Sequence, residues 1–309
     1  MILLCGIPSE PPLEMVMQAA EEMRVPYVLF NQRESGWSDI CFEIAGGKPR
    51  GALRLRETDW RLQDFQGVYV RLMDHRDLPE RPRGRSRPEL QQSRKSTLLH
   101  EALMEWMEIC QARVMNRCGD MASNVSKPFQ AQLIAAAGFR TPVTLISNQP
   151  EEVRAFYEKH RRVVYKSISS VRSIVEELSP DKFKELSRVR NLPTQFQAFV
   201  PGVNIRVHVT GRELFAAEIR SEAVDYRYAS RANLTVEMAP IELPPDIAQR
   251  CLALSETLRL PLCGIDLKRT PASEYFCFEV NPSPGYSYFQ EGSGVNIAQG
   301  IVRYLAASE

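Results

Sequence analysis

The chain has 309 residues, 44% hydrophobic and 25% charged, with 39 Lys and Arg against 38 Asp and Glu for a formal net charge of +1. That length suffices for two or three domains with real cores, and the near-zero charge excludes a bulk field driving the protein onto nucleic acid or a membrane. The seven cysteines form no CxxC pair, which excludes a zinc ribbon, speaks against a disulfide framework and points to a reducing, cytoplasmic setting. No apolar run reaches membrane-spanning length, and "MILLCGIPSEPP" lacks the basic region of a secretory signal.

In chain order, "MILLCGI" reads as a buried strand, followed by a helix from about Leu13 to Met23 and a second strand, "PYVLF". This strand–helix–strand start predicts a small α/β domain, and "GVYVRL" (67–72) adds another strand. Residues 76–95 are rich in Arg and Pro. They fit a basic RNA-binding arm or a solvated connector; the absence of any aromatic for base stacking favours the connector. A helix from about Thr97 to Ala112 follows, with Leu99, Leu103, Trp106 and Cys110 on one face.

In "NVSKPFQAQLIAAAGFRTPVT", Ser126 is an N-cap, Pro128 sits in the first turn and Gly138 suits the C-terminal end. "SNQPEEVRAFYEKHRR" predicts a second helix, acidic early and basic late, and "VVYK" a strand ending in Lys166. "GVNIRVHVTGRELFAAEIRSE" predicts a hairpin turning at Thr210-Gly211-Arg212. Arg206 and His208 share its polar face, Arg206 as a phosphate or acyl-phosphate contact and His208 as a satisfied polar neighbour. A helix near 245–258, a hairpin of "CGIDLKR" with "YFCFEVN" around "PASE", and a final helix over roughly 295–307 complete the chain.

The second hairpin carries the chemistry. Phe276, Phe278 and Val280 alternate with Cys277, Glu279 and Asn281, predicting one apolar face. With "PASE" as a four-residue loop, Arg269 lies opposite Phe276 and Asp266 opposite Glu279, with Asn281 on the same face. Two facing carboxylates need a counter-charge, and three hard oxygen donors suit Mg²⁺ or Mn²⁺. The alternative is a solvated acidic face with the register slipped by a residue or two. Lys127 at a helix start and Lys166 at a strand end would complement a triphosphate, although a lone lysine more often simply caps an element in water.

Taken together, "SKPFQAQLIAAAGFRTPVTLIS", "VVYK", "FQAFVPGVNIRVHVTGRELFAAEIRSE", "DYR", "GIDL" and "FEVNPSPG" resemble, in order, the ATP-grasp superfamily of carboxylate–amine ligases. The nearest branches are the ribosomal-protein glutamate ligases and the ribosomal-peptide maturases. The resemblance implies an α/β (α+β) ATP-grasp fold: an N-terminal α/β domain over 1–115, a central subdomain over 116–200, and a metal- and substrate-binding subdomain over 201–309. It further implies that Lys127 and Lys166 contact ATP phosphates, while Gln197 and the backbone near Phe199 and Val200 hold adenine. Asp266, Glu279 and Asn281 bind Mg²⁺ or Mn²⁺, and Arg206 and Arg227 serve the reaction. Arg172, Asp225, Ser283 and Gly285 lie near the acid substrate.

The expected partners are a carboxylate and an amine, each a small molecule or a peptide, with no nucleic acid and no membrane, and with self-association left open. Two departures stand out: "KSISSVRSIVEE" has no glycine-rich flap, and Ala198 replaces a common hinge glutamate. A kinase on the same fold and a non-catalytic nucleotide-binding module therefore stay open beside the ligase.

Overall fold

The computed structural model describes residues 1–74, 77–78, 86–168, 175–221 and 235–307. The first strand, β1 (Ile2–Gly6), is buried at every position, as an uninterrupted apolar run requires when both faces of a sheet are covered. It runs parallel to β2 (Tyr27–Asn31) and β6 (Gly67–Val70), with β7 (Arg113–Met115) at the far edge, and α1 (Pro11–Glu22) forms the first crossover. This is the predicted α/β start.

Two features here differ from the sequence reading. Helix α2 (Arg87–Ile109) begins ten residues before the expected Thr97, inside the Arg/Pro-rich stretch. The cause is a capping box: the Glu89 carboxylate accepts the Ser86 N–H at 3.2 Å, a Ser-x-x-Glu signal with Pro88 in the first turn. The helix stops before Ala112 because the Arg117 guanidinium takes up the carbonyls of Met107, Cys110 and Ala112. Residues 38–61, to which no element was assigned, form an antiparallel sheet of β3 (Ser38–Ala45), β4 (Lys48–Leu55) and β5 (Thr58–Arg61). Its first turn is Gly46-Gly47, both at positive φ (58° and 75°), the conformation a two-residue hairpin demands.

A second sheet joins β8 (Thr144–Ser147), β9 (Val163–Ser167), β10 (Glu176–Glu177) and β11 (Thr194–Ala198) in the order β10-β9-β11-β8, all antiparallel. Helices α4 (Pro150–His160) and α5 (Pro180–Lys184) accompany it. Helix α3 (Lys127–Ala136) precedes it, with Ser126 Oγ accepting the Phe129 N–H and Gly138 at φ +84° beyond its end. Ile134 of α3 and Phe139 nonetheless pack into the core of the third sheet.

That third sheet has five strands in the order β14-β13-β12-β15-β16: β12 (Val203–Thr210), β13 (Glu213–Arg220), β14 (Glu237–Ile241), β15 (Leu262–Arg269) and β16 (Tyr275–Asn281). The β12–β13 hairpin turns at Gly211-Arg212 as expected, and Gly211 is required there by φ +64° and by the Tyr304 ring against its Cα. Helix α6 (Pro245–Thr257) covers one face. The short α7 (Ser287–Ser293), not expected from the sequence, and α8 (Ile297–Ala306) lead back to α1 and the first sheet, sharing one core with Ile2, Leu4 and Tyr69.

The β15–β16 hairpin departs from the expected register near its turn. Arg269 pairs with Tyr275 rather than Phe276, because the loop holds five residues, 270–274, closed by Thr270 N–H to Glu274 O at 2.9 Å. A β-bulge at Phe278 then absorbs the difference, and Asp266 pairs with Glu279. The bulge also overturns the simple alternation: Cys277 and Val280 are fully buried in the core, while Phe278 turns to the opposite side.

Candidate active site

The shared face of β12, β15 and β16 brings three charged side chains into one cross-strand row: Arg206 opposite Asp266, and Asp266 opposite Glu279. The next row is His208, Gly264 and Asn281. Arg206 is buried, and its Nη1 donates to Asp266 Oδ1 at 2.6 Å. Gly264 makes this possible, since a Cβ there would lie 2.1 Å from Arg206 Nη2. His208 is fully buried beside it, Nε2 accepting from Arg206 Nε at 3.4 Å, with the Phe289 ring 5.0 Å away. Burial first, and then the Arg206 charge, hold its pKa well below the ordinary histidine value, so it is a neutral acceptor, which fits the satisfied polar neighbour expected from the sequence.

Three residues not singled out in the sequence hold these strands in position. Gln130 on α3 makes two bonds to Val280, donating to its carbonyl (2.8 Å) and accepting its N–H (2.9 Å), and so fixes the strand between Glu279 and Asn281. Lys127, buried, lies three residues earlier on the same side of that helix. Asn116 donates to Leu262 O (2.6 Å) and Pro282 O (2.5 Å) and accepts the Leu262 N–H (3.0 Å), tying the start of β15 to the end of β16. Arg71, at the end of β6 and ion-paired to Glu10, donates to Ser283 Oγ (2.8 Å) and Pro284 O (3.3 Å).

Asn281 Oδ1 accepts the Ser283 N–H at 3.0 Å, which orients the amide and leaves a second lone pair for a ligand. Nothing lies within 4 Å of where a Gly285 Cβ would be, so this loop presents open backbone.

Between the second and third sheets is a pocket. Lys166 of β9 faces Asp266 and Glu279 of the third sheet across it, and Gln197, Phe199 and Val200 line its hinge side. Lys166 and Gln197 are buried, and Gln197 Nε2 donates to Thr144 Oγ1 at 3.0 Å. The Phe199 N–H is committed to Arg162 O at 2.9 Å, so that amide is not open to a base; the Arg162 guanidinium lies 3.6 Å from the Phe199 ring centroid. Among the lining residues outside the expected set, Lys268 is the charged one, two residues beyond Asp266 on the same face of β15. Burial, then the nearby Arg162 charge, lower its pKa.

Of the expected site residues, Lys166, Gln197, Phe199, Val200, Asp266 and Glu279 surround this one pocket, and Arg206 adjoins it through Asp266. Asn281, Ser283 and Gly285 lie on the strand end and loop that follow. Arg172, Asp225 and Arg227 lie outside the described residues. Among the described residues no group of three His, Cys, Asp or Glu side chains gathers to hold a metal; the donor set is two carboxylates and an amide, all hard oxygens.

Residues 124–305 match the family model of the RimK-like ATP-grasp domain. The chain belongs to this family. A ribosomal protein bS6–L-glutamate ligase of Escherichia coli is 24% identical over 221 residues, which is 68% of this chain and 72% of that protein. A probable alpha-L-glutamate ligase of Shewanella amazonensis is 27% identical over 104 residues, so the chain spans only 34% of that relative's length. Among solved structures, the macrocyclase MdnC of Microcystis aeruginosa, bound to precursor peptide MdnA, superposes with TM-score 0.79 at 20% identity over 100% of both chains. A RiPP-associated ATP-grasp ligase of Chryseobacterium gregarium, in complex with ADP and a leader and core peptide, gives TM-score 0.76 at 22% identity, over 99% of this chain and 96% of that one. At such identities the likeness establishes the fold, which is the expected ATP-grasp fold.

Proposed function

We propose that this chain is an ATP-dependent ligase that activates a carboxylate as an acyl phosphate and joins it to an amine. The observation that carries this reading is the facing pair Asp266 and Glu279, at one side of a pocket bounded elsewhere by Lys166 and the 197–200 hinge, in an ATP-grasp chain. The nucleotide would lie between the central segment (116–200) and the C-terminal segment (201–309), with Lys127 and Lys166 on its phosphates and Gln197, Phe199 and Val200 around its base.

Asp266, Glu279 and Asn281 would hold Mg²⁺ or Mn²⁺, which when bound offsets charge on the phosphoryl oxygens. Arg206, ion-paired to Asp266, supplies part of that counter-charge and would contact the transferring phosphoryl group. A carboxylate oxygen attacks the γ-phosphorus, the bond to the β–γ bridging oxygen breaks, and ADP leaves. The amine nitrogen then attacks the acyl carbon, the acyl C–O bond breaks, phosphate leaves, and the amine proton passes to solvent. Ser283 and Gly285 flank the acid, and Arg172, Asp225 and Arg227 retain their assigned roles near the substrate and the reaction.

The structural relatives named above hold precursor peptides, and we read the carboxylate, the amine or both as carried by a peptide. No described helix is long and apolar enough to cross a membrane, and all seven cysteines are free, which supports a reducing, cytoplasmic setting.

The test is ADP release in the presence of Mg²⁺–ATP and candidate acidic peptides, with hydroxylamine as the trapping amine. A hydroxamate product supports the acyl phosphate. A phosphorylated acceptor without hydroxamate would instead identify a kinase. ATP binding with neither ADP release nor hydroxamate would leave a non-catalytic nucleotide-binding module.

A further inference from the structure

Lys268 is the one described lining residue of the nucleotide pocket whose charge the proposed chemistry does not use. It follows Asp266 by two residues on β15, so it faces the same side of the sheet about 7 Å further along the strand, away from the carboxylates and toward the hinge. Among the described residues no counter-ion pairs with it. The cross-strand neighbour on β12 is Asn204, which is neutral. The hinge segment lining the pocket, Gln197 to Val200, carries no charge. Of the other charges around the pocket, Lys166 and Arg162 are cationic, and the carboxylates Asp266 and Glu279 line it without an ion pair to Lys268.

Among the described residues Lys268 has no hydrogen bond and no ion pair; its contacts are two aromatic rings. Nζ lies 5.2 Å from the Phe199 centroid and 5.7 Å from that of Phe278, the residue the bulge turns to this side. A half-buried ammonium held only by ring faces has all its donors unspent. Its unbranched stem provides a flat apolar wall, as lysine stems do where the head is kept polar. The slot thus combines an apolar floor, two aromatic edges and a donor-only cation, and the only carboxylates among the described residues lining the pocket, Asp266 and Glu279, are those assigned to the phosphate end. A planar, electron-rich ring system bearing acceptor nitrogens matches it, and a phosphate chain directed toward Asp266 and Glu279 does not reach it.

We propose that Lys268 is a specificity-determining residue for the nucleobase, its stem stacking on a purine and its ammonium serving the ring face and acceptor nitrogens. This rests on the reading of the pocket as the nucleotide site. The role distinguishes Lys268 from Lys127 and Lys166, which serve phosphates. It also gives the bulge at Phe278 a use beyond register, since without it that ring would not line the slot.

The experiment is calorimetric titration of Mg²⁺–ATP, Mg²⁺–CTP and Mg²⁺–tripolyphosphate into wild type, Lys268→Met and Lys268→Arg. Methionine keeps an unbranched stem and removes the charge; arginine keeps the charge. Cation–π recognition predicts that Lys268→Met weakens ATP about 3- to 30-fold. It also predicts that tripolyphosphate affinity is unchanged, that the preference for ATP over CTP shrinks, and that Lys268→Arg retains most of the ATP affinity. Ligand-free unfolding midpoints establish that the variants are folded. Undiminished ATP affinity in Lys268→Met would overturn the assignment while leaving the nucleotide site intact. An equal loss for tripolyphosphate would overturn it in favour of a phosphate contact. A wild type that binds none of the three would overturn the nucleotide reading itself, and this inference with it.

Discussion

Replacing Glu279 by Gln separates a metal-ligand role from a structural one, because the two predict opposite signs. The facing pair has Cβ atoms about 5 Å apart. Two unit charges at that distance repel by about 3 kcal/mol at an effective dielectric of 20. Arg206, 2.6 Å from Asp266, cancels much of this, and the partial exposure of both carboxylates screens more. The net relief on neutralising Glu279 is therefore about 1 kcal/mol or less, and the ligand-free variant should unfold at or slightly above the wild-type midpoint. Mg²⁺–ATP changes the comparison. At 100 times its Kd a ligand stabilises the native state by about 2.7 kcal/mol, roughly 4 °C for a chain of this size. Glu279→Gln should lose most of that shift, and ADP release should fall about 100-fold or more. Thermal unfolding with and without Mg²⁺–ATP, beside a coupled ADP assay, reads both. A variant that unfolds well below wild type without ligand, or that releases ADP at the wild-type rate, would refute the argument.

Four further substitutions probe the surroundings. Gly264→Ala puts a Cβ 2.1 Å from Arg206 Nη2, so the guanidinium must leave Asp266; a stability loss of about 1–3 kcal/mol in urea titration and a fall in ADP release are expected. Gln130→Ala strands the Val280 N–H and C=O, costing about 1–3 kcal/mol and weakening Mg²⁺-dependent nucleotide binding in calorimetry. Lys166→Ala should weaken ATP about 10- to 100-fold, as loss of a charge-assisted phosphate contact does, with unchanged affinity counting against its role. His208 is held neutral in the fold, so below its unfolded pKa of about 6.5 the unfolded chain binds the extra proton. Its contribution is thus complete above that pH and is lost as pH falls, by up to about 1.4 kcal/mol per unit. The unfolding midpoint of His208→Gln should fall less steeply than wild type between pH 6.5 and 5.

Most elements were legible because their signals are local: Ser126 and Gly138 bracket α3, and Thr210-Gly211-Arg212 turns a hairpin. The side chains that hold the site were not, because their partners are remote. Gln130 and Val280 are 150 residues apart, Asn116 and Pro282 166, and Arg71 and Pro284 213. No periodicity reports such a pairing; only tertiary packing, such as that of α3 against β16, creates it. The missed start of α2 is different. Its Ser-x-x-Glu cap was present at Ser86 and Glu89, and the density of Arg and Pro around it suggested a connector instead.

The carboxylate pair is the instructive case, since it was reached through a loop count that the fold does not obey. The turn has one residue more than assumed, which displaces the register near it, yet Asp266 still meets Glu279. The reason lies on the other side of the sheet. Ile265, Leu267, Cys277 and Val280 are all buried in one core, and a strand shifted by one residue would exchange its two faces, burying Glu279 and exposing Val280. Burying an unpaired carboxylate costs far more than interrupting a ladder. The cheaper solution is the bulge at Phe278, which keeps Cys277 inward on the turn side and Val280 inward on the far side. The pairing of Asp266 with Glu279 is therefore imposed by the apolar face beneath it, and the loop length is accommodated afterwards.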